Sequence, residues 1–168
     1  VIATLASRAG ASVHPNDHVN LGQSSNDVIP TAIQVAAALE WQEQLRPALV
    51  HLRATIDRRA KELAKVVKTG RTHLMDAMPL TLGQELSAWS AQLASAIARL
   101  DDSAVRLQAL PLGGTAIGTG INADPRYAKK AVARLRAATK VKFAQASNLF
   151  EGIASQDASV EFSGQLNT

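Results

Sequence analysis

Leu45, Leu49, Leu52, Ile56, Ala60, Leu63 and Val67 recur at alternating gaps of about three and four residues, the spacing that lays apolar side chains along one stripe of an α-helix. Gly70 ends that stripe. Leu82, Leu86, Trp89, Leu93, Ile97, Leu100, Ala104 and Leu107 repeat the pattern with no breaker before Pro111. At ~1.5 Å per residue the second rod is about 40 Å long. Two antiparallel rods of this length need further helices to cover their stripes, so the pattern predicts an all-α fold built as a bundle of long helices.

Shorter elements flank the rods. Val1 to Arg8 reads as the tail of a helix stopped by Gly10, and residues 11–23 as a loop of turn formers in which Pro15 forbids a continuing helix. A helix then starts near Ser25 or Asn26, takes Pro30 in its first turn and runs through Ile33, Ala37 and Trp41; Pro47 kinks or restarts it. Gly113 to Asn122 reads as a flexible linker by composition. Asp124-Pro125 opens a helix from Tyr127 to Thr139, and a last helix begins beyond Asn148 with Phe150, Ile153, Val160 and Leu166 inward. The first residue is not Met and Thr168 follows no stop signal, so the sequence reads as cut from a longer chain. On this reading residues 1–23 end an N-terminal domain and its connecting loop, and residues 24–168 form a central helical domain.

Composition narrows the class. Hydrophobic residues make up 46% and charged residues 19%, a globular balance, while 4% aromatics favours helix-on-helix packing over a sheet sandwich. With no cysteine there is no disulfide framework and no thiolate chemistry. The isoelectric point of 9.8 reflects a net charge of only +4. Arg58, Arg59, Lys61, Lys65 and Lys68 share their stretch with Asp57 and Glu62 as a solvated face does, and without aromatic interleaving or a recognisable module this reads as surface rather than as a nucleic-acid footprint. No apolar run is long enough to span a bilayer, and no signal-peptide layout is present. His14, His18 and His51 lack metal-ligand spacing, so no metal is expected. The Gly-rich run lacks the Lys-Ser or Lys-Thr of a phosphate loop, so no nucleotide cofactor is expected either.

Two polar clusters stand at the heads of helices. Gln23-Ser24-Ser25-Asn26-Asp27 can cap a helix, and the same residues can cradle a carboxylate, because a helix N-terminus offers unpaired N–H groups and partial positive charge. Gly70-Arg71-Thr72-His73 can be an interhelical turn, and equally a place where an imidazole moves a proton beside a hydroxyl that fixes a substrate oxygen.

His14-Pro15-Asn16-Asp17, Gln23-Ser24-Ser25-Asn26-Asp27, Gly70-Arg71-Thr72-His73, Pro79-Leu80-Thr81-Leu82-Gly83-Gln84-Glu85 and Gly113-Gly114-Thr115-Ala116-Ile117-Gly118-Thr119-Gly120, in this order, resemble the class II fumarate hydratases of the fumarase and aspartase superfamily. The resemblance covers nearly the whole chain. It implies reversible hydration of fumarate to L-malate without a cofactor, in a homotetramer whose active sites are each shared among three chains. It also implies a cytoplasmic location, or a mitochondrial one in a eukaryote. Carried onto this sequence, Ser24, Ser25 and Asn26 bind a substrate carboxylate, Thr72 adds a contact, and His73 holds the catalytic water or acts as acid and base. His14, Pro15, Asn16 and Asp17 match the loop of a second dicarboxylate site, although Ala11-Ser12-Val13 stands where a basic residue is usual. The family's mobile Gly-Ser-Ser loop, source of the base and of a cationic contact, has no counterpart in these residues, so the segment implies a core that does not turn over alone. His73, where aspartases carry Gln, and Ser25, where they carry Thr, set an aspartate ammonia-lyase second. A helical scaffold without catalysis is the remaining alternative.

Overall fold

The computed structural model describes residues 1–168 and is all-α in class, with seven α-helices and two small two-stranded sheets. In chain order the elements are α1 (Ile2–Arg8), α2 (Ser25–Glu40), α3 (Arg46–Glu62), β1 (Val67–Thr72), β2 (Met75–Thr81), α4 (Leu82–Ala104), β3 (Ala109–Leu110), α5 (Tyr127–Thr139), β4 (Ala144–Gln145), α6 (Leu149–Ala154) and α7 (Asp157–Leu166). The chain forms two compact units, one of residues 1–38 and 105–160, the other of residues 39–104 and 161–168.

The second unit is organised by α3 and α4, which run antiparallel. Arg46 meets Asp101 through two bonds of 2.8 and 3.0 Å, Ser90 donates to Asp57, and Gly83 lies against Ala60 and Ala64. The face that α4 buries is Gly83, Ser90, Ile97 and Ala104, seven residues apart, with Leu100 and Ser103 beside them. The small residues let the backbones approach closely: a Cβ on Gly83 would stand 2.6 Å from the Ala60 carbonyl oxygen. The expected stripe is therefore rotated. Ile97 and Leu100 belong to the buried face, Leu86 and Leu93 are half-buried, and Trp89 is 52% exposed. Helix α3 has no fully buried residue. Trp41 and Phe162 pack edge to face, ring centroids 5.9 Å apart. Pro47 restarts the helix as expected, after a wider π turn over Trp41–Leu45.

Between the two rods the sequence reading needs correction. The first helix ends at Glu62, and the chain then forms a hairpin in which Val67 pairs with Thr81 and Thr72 with Met75. Val66, Val67, Thr69 and Thr72 are β-branched and fit a pleated strand better than a helix, while Pro79, which cannot donate to a ladder, sits opposite Thr69 beside a bulge at Gly70. Thr81 and Gln84 then start α4 with a reciprocal capping box: Thr81 N donates to Gln84 Oε1 at 2.9 Å, and Gln84 N to Thr81 Oγ1 at 3.1 Å.

The first unit is centred on Leu107, Leu110 and Phe143, all fully buried, with Leu112, Ala128, Val132 and Val141 around them. Strands β3 and β4 pair in parallel, Ala109 with Ala144 and Leu110 with Gln145. Helices α1, α2 and α5 lie where the pattern puts them, and Lys140 closes α5 in a left-handed cap. Two expectations fail here. The Gly113–Asn122 stretch is an ordered chain of turns rather than a free linker, because its amides are bound by a side chain from α2. The last helix is two helices, broken where Ser155 Oγ accepts the Asp157 N–H, and Phe162 is its buried residue while Phe150, Val160 and Leu166 are exposed.

Candidate active site

In the first unit the structure gathers Ser24, Ser25 and Asn26 at the entrance of α2. Ser24 caps the helix, its Oγ accepting the Asn26 N–H at 3.2 Å. That bond uses a lone pair and leaves the hydroxyl proton free to donate, so capping and ligand binding do not exclude one another. The Asn26 side chain donates through Nδ2 to the Ala116 carbonyl at 2.8 Å, which fixes the amide and leaves its second N–H available. Ser25 is exposed. The first turn thus presents two hydroxyls and an oriented amide at the positive end of a 16-residue helix, a donor set suited to a carboxylate.

Asp27, quoted in the polar run but given no role there, proves to be the organiser. It is 1% exposed, and its carboxylate accepts three backbone N–H groups: Ser24 at 3.2 Å, Gly113 at 2.9 Å and Thr115 at 3.1 Å. The signal available in sequence was an acidic residue in a helix's first turn together with a glycine-rich run whose amides need acceptors.

The loop before α2 holds His14, Pro15, Asn16 and Asp17 in a tight π turn with Pro15 in its first position. His14 Nδ1 lies 3.2 Å from the Asp17 amide nitrogen and 3.0 Å from Asp17 Oδ2. A neutral imidazole caps the turn, and a protonated one pairs with the carboxylate. The His14 backbone N–H donates to His18 Nδ1 at 2.9 Å. All four residues remain at least partly exposed, and no His, Asp or Glu cluster has the makings of a metal site.

In the second unit Thr72 and His73 occupy the tip of the hairpin. Because Thr72 pairs with Met75, His73 and Leu74 form a two-residue turn, with φ of 51° and 63°. Turns of this hand ordinarily carry Asn-Gly, so a histidine and a leucine there hold strained backbone. Both side chains point into solvent, Leu74 being 99% exposed. The base of the hairpin is tied down where Lys68 Nζ reaches both oxygens of Glu85 at 2.8 Å, and Arg71 pairs with Asp76 across the strands at 3.2 Å.

The donor set at the α2 entrance and the exposed imidazole at the hairpin tip are thus the two candidates for chemistry. A family model described as lyase matches residues 1–168, and the chain belongs to that family. Within it, the chain is similar to the class II fumarate hydratase of Xylella fastidiosa, with 64% identity over all of this chain and 36% of that protein. It is also similar to the mitochondrial fumarate hydratase of Homo sapiens, 49% identical over 93% of this chain and 31% of that protein. The crystal structure of a class II fumarase from Schistosoma mansoni superposes with a TM-score of 0.84 at 36% identity, covering 94% of this chain and 36% of that one. The chain spans about a third of the length of the relatives it matches. No helix is long and apolar enough to cross a membrane.

Proposed function

We propose that this chain is the central part of a class II fumarate hydratase, which adds water reversibly to fumarate to give L-malate. The observation that carries the reading is 64% identity, across the whole chain, to a class II fumarate hydratase. The helix-entrance geometry supports it, since a dicarboxylate needs the kind of donor set that Ser24, Ser25 and Asn26 present.

In the direction from malate, a base removes the proton on the carbon next to one carboxylate, leaving a dianionic aci-carboxylate. An acid then protonates the departing hydroxyl as water. Holding the extra negative charge is the main electrostatic task. Ser24 and Ser25 hydroxyls and the free N–H of Asn26 bind one carboxylate, the Thr72 hydroxyl adds a contact, and His73 holds the water or exchanges its proton. The base and the cationic contact come from outside residues 1–168, so these residues supply part of the site and do not turn over alone. The enzyme is a homotetramer whose active sites combine three chains, in the cytoplasm or, in a eukaryote, the mitochondrion. His14, Pro15, Asn16 and Asp17 form a second dicarboxylate site. Residues 24–168 belong to its central helical domain.

The test is the ultraviolet absorbance of fumarate's conjugated double bond, followed with the full-length protein and either malate or aspartate as substrate. Fumarate from malate is expected. Fumarate from aspartate alone would make the enzyme an ammonia-lyase, and fumarate from neither would leave a non-catalytic scaffold.

A further inference from the structure

We propose that Asp27 is a positioning residue for dicarboxylate binding: its buried carboxylate welds the entrance of α2 to the Gly113–Gly118 loop and so sets the direction in which Asn26 offers its free N–H. The inference rests on the reading of Ser24, Ser25 and Asn26 as a carboxylate cradle.

A carboxylate that is 1% exposed is costly unless its lone pairs are satisfied, and here they are satisfied by backbone alone. Oδ1 takes the Ser24 amide, while Oδ2 takes Gly113 and Thr115. The two segments joined this way are those that Asn26 bridges through Nδ2 and the Ala116 carbonyl, one residue beyond Thr115. Asp27 therefore determines where that carbonyl stands, and the carbonyl determines how the Asn26 amide is turned. The loop does not hold this shape by preference. Thr115 is β-branched and buried, yet its φ is +55°. Such backbone persists only where its surroundings over-determine it, and the Asp27 carboxylate gripping both amides is that constraint. Replacing one oxygen by an NH₂ group sets a donor against the amides on one side, Ser24 or the Gly113 and Thr115 pair, so the weld between α2 and the loop is lost on that side and Asn26 can turn.

The experiment uses the full-length enzyme, with succinate as a non-reactive dicarboxylate probe whose dissociation constant is measured by calorimetry beside malate kinetics and thermal midpoint. Asp27→Asn is expected to weaken succinate by about tenfold and to raise the malate KM alike, with a smaller change in kcat, as for one lost hydrogen bond to a charged group. Because Asp27 acts through Asn26, the Asp27→Asn, Asn26→Ala double variant should weaken succinate by less than the product of the single effects. Thr31→Val is the stability control: it removes the 2.7 Å bond from Thr31 Oγ1 to the Asp27 carbonyl in the same turns of helix, and should lower the midpoint while leaving succinate binding unchanged. An Asp27→Asn variant with a lowered midpoint and wild-type succinate affinity would overturn the proposal. Should that variant not fold, Asp27→Glu keeps the charge but displaces the loop, and wild-type succinate affinity there would overturn it equally. Asn26→Ala separates the two layers: if it weakens succinate and the Asp27 variants do not, only the positioning role fails. If none of them weakens succinate, the carboxylate cradle fails as well.

Discussion

The entrance of α2 and the tip of the β1–β2 hairpin carry the two candidate chemistries, and they are built in opposite ways. At α2 the polar side chains are held from beneath: Asp27 is buried, and Ser24 and Asn26 each make a bond that fixes them without exhausting their donors. At the hairpin tip the backbone is strained, and Thr72, His73 and Leu74 stand exposed, with no hydrogen bond or ion pair holding the imidazole. On the proposed reading the difference separates what binding demands from what proton transfer demands. A carboxylate is bound well by donors already arranged, whereas a histidine on a strained tip keeps both ring nitrogens free for other partners.

The largest effect is expected at the tip. In the full-length enzyme His73→Asn should cut malate turnover by about two to four orders of magnitude, the usual range for a positioned acid or base, with little change in KM. Wild-type turnover would reduce His73 to a turn residue and dissolve the contrast. At the other cluster Asn26→Ala should lower kcat/KM by roughly 1.5 to 3 kcal/mol, with the thermal midpoint nearly unchanged. A destabilised protein with intact kinetics would mean that the α2 entrance only caps its helix.

Strain at the tip is measurable by itself. Leu74→Gly removes a side chain from a left-handed position and should stabilise the protein by about 1 kcal/mol in chemical denaturation, after allowing for glycine's extra freedom in the unfolded chain. Destabilisation would show that the exposed leucine is packed in the assembled protein.

The smallest effect concerns an exposed carboxylate of the first unit. The Arg126 side chain, and then its backbone N–H, hold the Asp124 carboxyl well below its ordinary range. Because the folded value is the lower one, this contribution is complete above the ordinary carboxylate range and is lost as pH falls. Arg126→Ala should therefore leave a shallower fall of thermal midpoint between about pH 5 and pH 2 than the parent shows. An unchanged acid slope would mean that the pair is solvated away.

Much of this was legible in the chain. The two long helices, the restart at Pro47, the short helix from Tyr127 to Thr139 and the polar run before α2 all follow from local rules of period, proline and capping. The hairpin was not, because its strands do not alternate apolar with polar residues, Gly70 and Pro79 interrupt them, and a turn of His-Leu lacks the Asn-Gly that ordinarily announces one. The rotation of the α4 stripe escaped for a different reason. Gly83 and Ser90 read as weak helix formers in sequence, and only the close approach of α3 makes them core positions. Asp27 escaped because its two loop partners lie far along the chain, and a glycine-rich run advertises freedom rather than the acceptor that removes it.

The bonds that shape the α2 entrance close loops of 86, 88 and 90 residues. Closing such loops is entropically costly, and contacts so remote in sequence form slowly compared with the turns of α2 itself. On the ribosome α2 is synthesised and can coil long before Gly113 exists, so for that interval its first turn has no loop to hold and Asp27 faces water. The α2 entrance thus acquires its geometry only when a stretch 86 to 90 residues further along arrives.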